Sequence, residues 1–205
     1  MDALERSKEL LEESEKRRSC RKFLSEDVDI EVIKNCIRTA ATAPSGADMQ
    51  PWHFVVVRDP DLRREIREKA EVVEQSFYAD KISDEWRKDL EKLAVNTRKP
   101  FLTEAPCLIV IFKELYRTGP DGAKLANYYV GESVGIATGL LMNALRNAGY
   151  DMLTYTPAPP TFLREMFRRP EGESAEMILA VGKADPTYEY PVLKKKALEE
   201  IAEFF

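Results

Sequence analysis

At 205 residues with 44% hydrophobic and 33% charged side chains, the chain is long enough to bury a core of its own as one heavily charged domain. Its net charge of −5 excludes bulk nucleic-acid binding, and no apolar run approaches the roughly 20 residues that cross a bilayer. Three cysteines without CxxC spacing and a single histidine, His53, argue against a disulfide framework, a metal site or a His-based triad, and point to the reducing cytoplasm.

In chain order, Leu4, Leu10 and Leu11 among alternating charges predict a surface helix over residues 3–16, too charged to read as a secretory signal. It runs into the basic cluster RRSCR, Arg17 to Arg21. Asp29 starts a helix, IEVIKNCIRTAA, with Ile30, Ile33, Cys36, Ile37 and Ala40 on one face. The stretch TAPSGADMQPW then leads into a strand, WHFVVV, and Asp59-Pro60 opens a third helix, LRREIREKAEVVEQSFY. The polar segment from Ala79 to Lys99 predicts an amphipathic helix anchored by Trp86, Leu90 and Leu93.

CLIVIF is expected to be a central strand. Tyr128–Gly149 reads as the longest helix, apolar nearly all round and so buried, with small residues Gly135, Ala137 and Gly139 suited to a subunit interface. MLTYT, the helix TFLREMF and the strand MILAVG follow. The tail PVLKKKALEEIAEFF has few partners of its own and is expected to pack on a second subunit. With no repeats and no linker, the order implies a single α+β or α/β domain over 1–205.

Several groups could carry chemistry, each beside a plainer reading. RRSCR offers guanidinium groups and a hydroxyl that suit a phosphate, or it is a solvated patch at a helix end. Neither GxGxxG nor GxxxxGK[ST] occurs, so side chains must do most of the gripping at any phosphate. Thr154-Tyr155-Thr156-Pro157 puts hydroxyls at a strand end, where one could meet a cofactor edge or merely reflect β propensity. Glu74 and Tyr78 share a helix face at i and i+4, and with Lys99 could read the two charges of an amino acid; a charged surface face is the alternative.

Taken in order, RRSCR, TAPSGA..QPW.FVVV.DP, APCLIVIF, NYY..ESVGIA.G.L, T.TP and the Lys-rich tail resemble the nitroreductase superfamily of FMN-dependent flavoproteins. Within it the chain is most similar to the iodotyrosine deiodinase branch. The resemblance implies a mixed sheet flanked by helices, in a domain-swapped homodimer with FMN at the interface. It implies cofactor contacts from Arg17, Arg18, Ser19, Cys20, Arg21, Pro44, Ser45, Gly46, Thr154, Tyr155, Thr156 and Lys195. It further implies that Ala47 offers its N–H to a substrate phenolate, that Glu74, Tyr78 and Lys99 clasp the zwitterion, and that Trp86 falls on a mobile lid over about 70–100. Gly46 and Ala47 would be small so that an aromatic substrate can stack there.

The implied activity is reductive dehalogenation of a halotyrosine, iodotyrosine to tyrosine plus iodide. Electrons come from reduced flavin, and the Thr156 hydroxyl at flavin N5 favours one-electron steps. The alternatives are a general NAD(P)H-dependent nitroreductase or quinone reductase, and a non-catalytic flavin- or halotyrosine-binding protein. Vertebrate members carry a membrane anchor, whereas this chain reads as a soluble form with no membrane or nucleic-acid partner and an unidentified electron donor. Tyr155 between two threonines, Asp48-Met49, and Lys195 where relatives carry Arg depart from the family pattern.

Overall fold

A computed structural model describes residues 2–93 and 95–205. Helix α1 (Ala3–Glu15) begins at a capping box in which the Asp2 side chain and Glu5 satisfy each other's backbone N–H, and it buries nothing within this chain. Helix α2 (Ile30–Ala40), capped by Asp29, buries Ile33, Cys36 and Ala40. A 3₁₀ turn, Gly46–Asp48, precedes β1 (Trp52–Val57). Asp59 caps α3 (Pro60–Asp80), whose first residue is a proline with no N–H to leave unpaired. At 21 residues α3 is longer than the 18-residue α6 (Val130–Asn147), so the longest helix is not the one expected from the apolar pattern.

Between α3 and α6 lie α4 (Asp84–Glu91), α5 (Phe101–Glu104), β2 (Cys107–Glu114) and a hairpin of β3 (Tyr116–Thr118) and β4 (Lys124–Ala126). The expected Ala79–Lys99 helix is thus shorter, starting where the Ser83 hydroxyl accepts from Trp86 N–H. After α6 come β5 (Asp151–Tyr155), α7 (Thr161–Met166) and β6 (Glu173–Gly182).

The main sheet runs β1-β2-β6-β5, and every pairing among these strands is antiparallel. Among the described residues a parallel element enters only where Ser19 bridges to Met152, beside β5. Strand β2 reads as an unbroken apolar run because both its faces are covered. Leu108, Val110 and Phe112 pack with Ile66, Phe101 and Leu102 on one side, while Cys107, Ile109 and Ile111 pack with Ile33, Leu141 and Leu145 on the other. Each such buried aliphatic side chain contributes about 1.5–3 kcal/mol.

Within one chain helix α6 is covered on one face alone. It buries Ser133, Val134, Ala137, Thr138, Leu141 and Leu145, yet its opposite face is open. Ile136 is exposed there, and a Cβ added at Gly131, Gly135 or Gly139 would meet nothing within 4 Å. Beyond β6 the tail makes only a short 3₁₀ turn, and Val192, Leu193, Leu198, Ile201 and Phe204 are exposed.

Candidate active site

Arg17, Arg18, Ser19 and Arg21 line one cavity of about 490 Å³ together with Tyr190, Pro191, Leu193 and Lys195. The cluster's place is set by the edge of the sheet: Ser19 bridges to Met152 and Cys20 N–H donates to the Met152 carbonyl at 3.1 Å. Extended backbone alternates its side chains, so the neighbours of Cys20 face the cavity while Cys20 itself enters the core with no exposed surface. Any contact of Cys20 with a ligand in the cavity would therefore come from its backbone. Its thiol donates to the Lys22 carbonyl at 3.0 Å, and burial pushes its pKa up against the opposing hydrogen bonds to Lys22 and Tyr190.

Arg18 is braced from the tail, donating to the Pro191 carbonyl and lying over the Tyr190 ring at 5.1 Å. Tyr190 went unnoticed in the sequence, where only its proximity to the Lys-rich tail could have signalled it. Among the described residues no carboxylate forms an ion pair with Arg17, Arg18, Arg21 or Lys195. Four cations without a carboxylate partner around one cavity of about 490 Å³ fit a phosphate-bearing ligand.

The second cavity, about 290 Å³, is lined by Glu74, Tyr78, Trp86, Lys99, Tyr155 and Thr156, among others. Here the charges are already matched. Lys99 Nζ lies 2.9 Å from Glu74 Oε2, and the Tyr155 hydroxyl donates to Glu74 Oε1 at 3.0 Å. Lys99 is 2% exposed and Glu74 9%. The Lys99 ammonium also sits 5.5 Å from the centre of the Tyr155 ring. Glu71 holds the Lys99 backbone N–H at 2.7 Å and is itself held by Arg67 at 2.8 Å, which ties the segment before α5 to α3.

Burial first, and then the Glu74 carboxylate, raises the Tyr155 phenol above its ordinary pKa, so it stays protonated and donates. Tyr78 is raised by the same two causes, and its hydroxyl is buried without a hydrogen-bond partner. A buried, unpaired phenol facing a cavity is a polar group awaiting a ligand. Phe77 packs edge-on against Trp86 at 5.1 Å, so α4 closes over this end of α3.

Arg21 lines both the basic cavity and a third one of about 250 Å³, which in turn shares Val95 and Lys99 with the second. The three spaces form a row from the arginines to the clasp. Both threonines are exposed, but Thr156 lines the clasp cavity whereas Thr154, two residues earlier, lines neither cavity.

Pro44, Ser45, Gly46 and Ala47 do not join either cavity within one chain. They lie against the start of α6, where Gly46 N–H donates to the Ser133 hydroxyl at 3.3 Å. A Cβ at Gly46 would stand 2.6 Å from the Tyr128 carbonyl oxygen, so backbone contact, rather than a stacked substrate, requires glycine there. Ser45 Oγ accepts from Gln50 N–H at 2.9 Å. Ala47, Asp48 and Gln50 all hold positive φ, at 49°, 54° and 50°. Such conformations cost of order 1–3 kcal/mol each and cluster where a backbone is shaped for contact with a ligand.

Residues 15–183 match the family model described as Nitroreductase family. The chain belongs to the nitroreductase family. It is 43% identical over 195 residues to the iodotyrosine deiodinase of the bacterium Haliscomenobacter hydrossis, covering 95% of this chain and 88% of that one. Human iodotyrosine deiodinase 1 is 44% identical over 202 residues, covering 98% of this chain and 70% of the human protein. Among solved structures, oxidized iodotyrosine deiodinase bound to FMN and 3-iodo-L-tyrosine superposes with a TM-score of 0.80 at 30% identity, over 95% of this chain and 100% of that one. A BluB-like flavoprotein from Clostridium difficile superposes with a TM-score of 0.72 at 25% identity, over 96% of this chain and 98% of that one.

Proposed function

We infer that the protein is an FMN-dependent oxidoreductase that reductively dehalogenates halotyrosines, taking iodotyrosine to tyrosine and iodide. The observation that carries this reading is the buried Glu74–Lys99 pair, with the unpaired Tyr78 hydroxyl, in a cavity that adjoins a cluster of unpaired cations. A zwitterionic amino acid can exchange partners with such a pair, its ammonium going to Glu74 and its carboxylate to Lys99. A nitroarene has neither group. Relatives carrying the deiodinase name at 43–45% identity support the assignment.

Arg17, Arg18, Ser19, Arg21 and Lys195 would hold the FMN phosphate and ribityl chain, and Thr156 would meet the flavin edge. When bound, FMN supplies the reducing electrons. The chain's own part is positioning and electrostatics. The aryl carbon–halogen bond of an electron-rich phenol resists nucleophilic attack, so no nucleophile is needed. Protonation of the ring at the halogen-bearing carbon gives a non-aromatic ketone that can be reduced with loss of halide. The Ala47 N–H would hold the phenol oxygen, and the clasp would hold the other end of the substrate.

Ala47 and the 44–46 loop reach this site from a second copy in a domain-swapped homodimer. The open face of α6, the exposed Tyr128 and Tyr129 beside the loop, and the apolar residues of the tail support that arrangement. The whole chain, 1–205, works as one domain, with α4 and the end of α3 as the lid over about 70–100. Among the described residues no helix is long and apolar enough to cross a membrane, and the three free, buried cysteines suit a reducing cytoplasm.

The test is direct. The purified protein should be yellow and should run at twice its 23.4 kDa chain mass. Iodotyrosine should quench the flavin fluorescence, and dithionite should then release one halide per substrate. Tight binding with no halide release would overturn the reading in favour of a binding protein, and reduction of nitroarenes alone would favour a general nitroreductase.

A further inference from the structure

Among the described residues, one side-chain hydrogen bond joins α3 to a strand of the main sheet: that from Tyr155 at the end of β5 to Glu74. We propose that Tyr155 is a positioning residue that presets the substrate clasp, fixing Glu74 through one carboxylate oxygen so that an amino acid need exchange only the partner on the other. This rests on the reading of Glu74 and Lys99 as the zwitterion clasp.

The geometry divides the carboxylate between two roles. Glu74 Oε1 accepts from a neutral phenol, and Oε2 pairs with the Lys99 ammonium at 2.9 Å. The phenol is in turn fixed. Tyr155 pairs with Ile178 across the sheet, its ring packs edge-on to Phe101 with centroids 5.5 Å apart, and Pro157 follows two residues later. The entering ammonium then replaces that of Lys99 on Oε2, while Lys99 turns to the substrate carboxylate. Two ion pairs replace one, and no carboxylate oxygen is left bare. Without the Tyr155 hydroxyl, Oε1 would be a buried, charged acceptor with no partner, and the side chain would be free to swing toward Lys99 with both oxygens. The cost would fall on ligands that need Glu74 in place, and not on a halophenol that ignores it.

The experiment uses the FMN-loaded protein, titrated calorimetrically with 3-iodotyrosine and with 2-iodo-4-methylphenol, which keeps the iodophenol but lacks both charges. Tyr155→Phe retains the ring and its edge-on contact with Phe101. The expected result is that iodotyrosine binds roughly ten- to a hundredfold more weakly, while the loss for the cresol is at least tenfold smaller. Equal losses for both ligands, or no loss for iodotyrosine, overturn the proposal. Glu74→Gln is measured in parallel. If it weakens iodotyrosine and Tyr155→Phe does not, only the positioning role falls; if Glu74→Gln has no effect, the clasp itself falls. Should Tyr155→Phe fold poorly, the Tyr155→His variant, which keeps a ring donor, must bind iodotyrosine more tightly than Tyr155→Leu, and equal affinities overturn the proposal.

Discussion

The basic cleft and the substrate clasp both hold charged side chains, but they hold them in opposite conditions. Arg17, Arg18, Arg21 and Lys195 have no ion-pair partner among the described residues and face an open cavity. Glu74 and Lys99 are nearly closed off from solvent and already paired. Unmatched cations on a surface keep their hydration until a ligand of fixed negative charge arrives. Buried charges cannot wait in that way, because an unpaired ion inside the protein would be too unstable, so they must meet each other first. A site for a phosphate can therefore stand open, whereas a site for a zwitterion must be kept shut by its own ion pair and opened by exchange.

The largest effect should come from breaking the matched side. Glu74→Gln leaves Lys99 buried without its counter-ion, which should lower stability by about 3 kcal/mol, as read by urea denaturation. It should also weaken iodotyrosine binding by on the order of a hundredfold. Adding Lys99→Met should recover most of the stability and none of the binding. A double variant that still binds iodotyrosine tightly would remove the distinction between the two regions.

Breaking the unmatched side should spare stability. Arg17→Ala or Arg21→Ala takes no partner from any protein carboxylate, so the flavin-free protein should unfold within about 0.5 kcal/mol of the parent. FMN affinity, followed by dialysis or fluorescence, should fall roughly ten- to a hundredfold and become less sensitive to salt. A large stability loss instead would mean that the cleft is a structural network.

The smallest effects lie in the core beneath. Burial raises the Cys20 thiol and, outweighing Arg58 and Arg63 nearby, pushes Cys107 up to about 12. At pH 8 a thiol reagent should therefore label none of the three cysteines in the native protein and all of them after denaturation. Because the folded state holds the Cys107 proton more tightly than the unfolded chain, that residue's contribution is complete below the ordinary value of 9.0. It is lost as pH rises toward about 12. Cys107→Ala should flatten this alkaline decline; an unchanged slope would assign the decline to other groups.

Much of this was legible from residues alone. Periodicity and caps located α2, β1, α3 and β2, because Asp29, Asp59 and Pro60 act within one turn and a doubly covered strand must be apolar throughout. The β3–β4 hairpin was missed because strands of three residues leave almost no alternation to read. The helix over Ala79–Lys99 was overextended for a related reason, since polar residues alone do not reveal where Ser83 will cap. Which residues of α6 face outward was not legible either: Ala137, read with Gly135 and Gly139 as suited to an interface, turns into the core while the two glycines stay open.

By itself, the sequence determined the family, through the order of RRSCR, the PSGA turn and the T.TP strand end, and the presence of the charges, because residue types and their spacing are local facts. Only the tertiary structure decided which of those charges are free and which are paired. It turned Cys20 into the core between residues that line the cleft, gave Gly46 a backbone neighbour in Tyr128, and set Tyr155 against Glu74 across 81 residues of chain. Pairing and burial arise between elements distant in sequence, and they set the energy of a charge more strongly than its identity does.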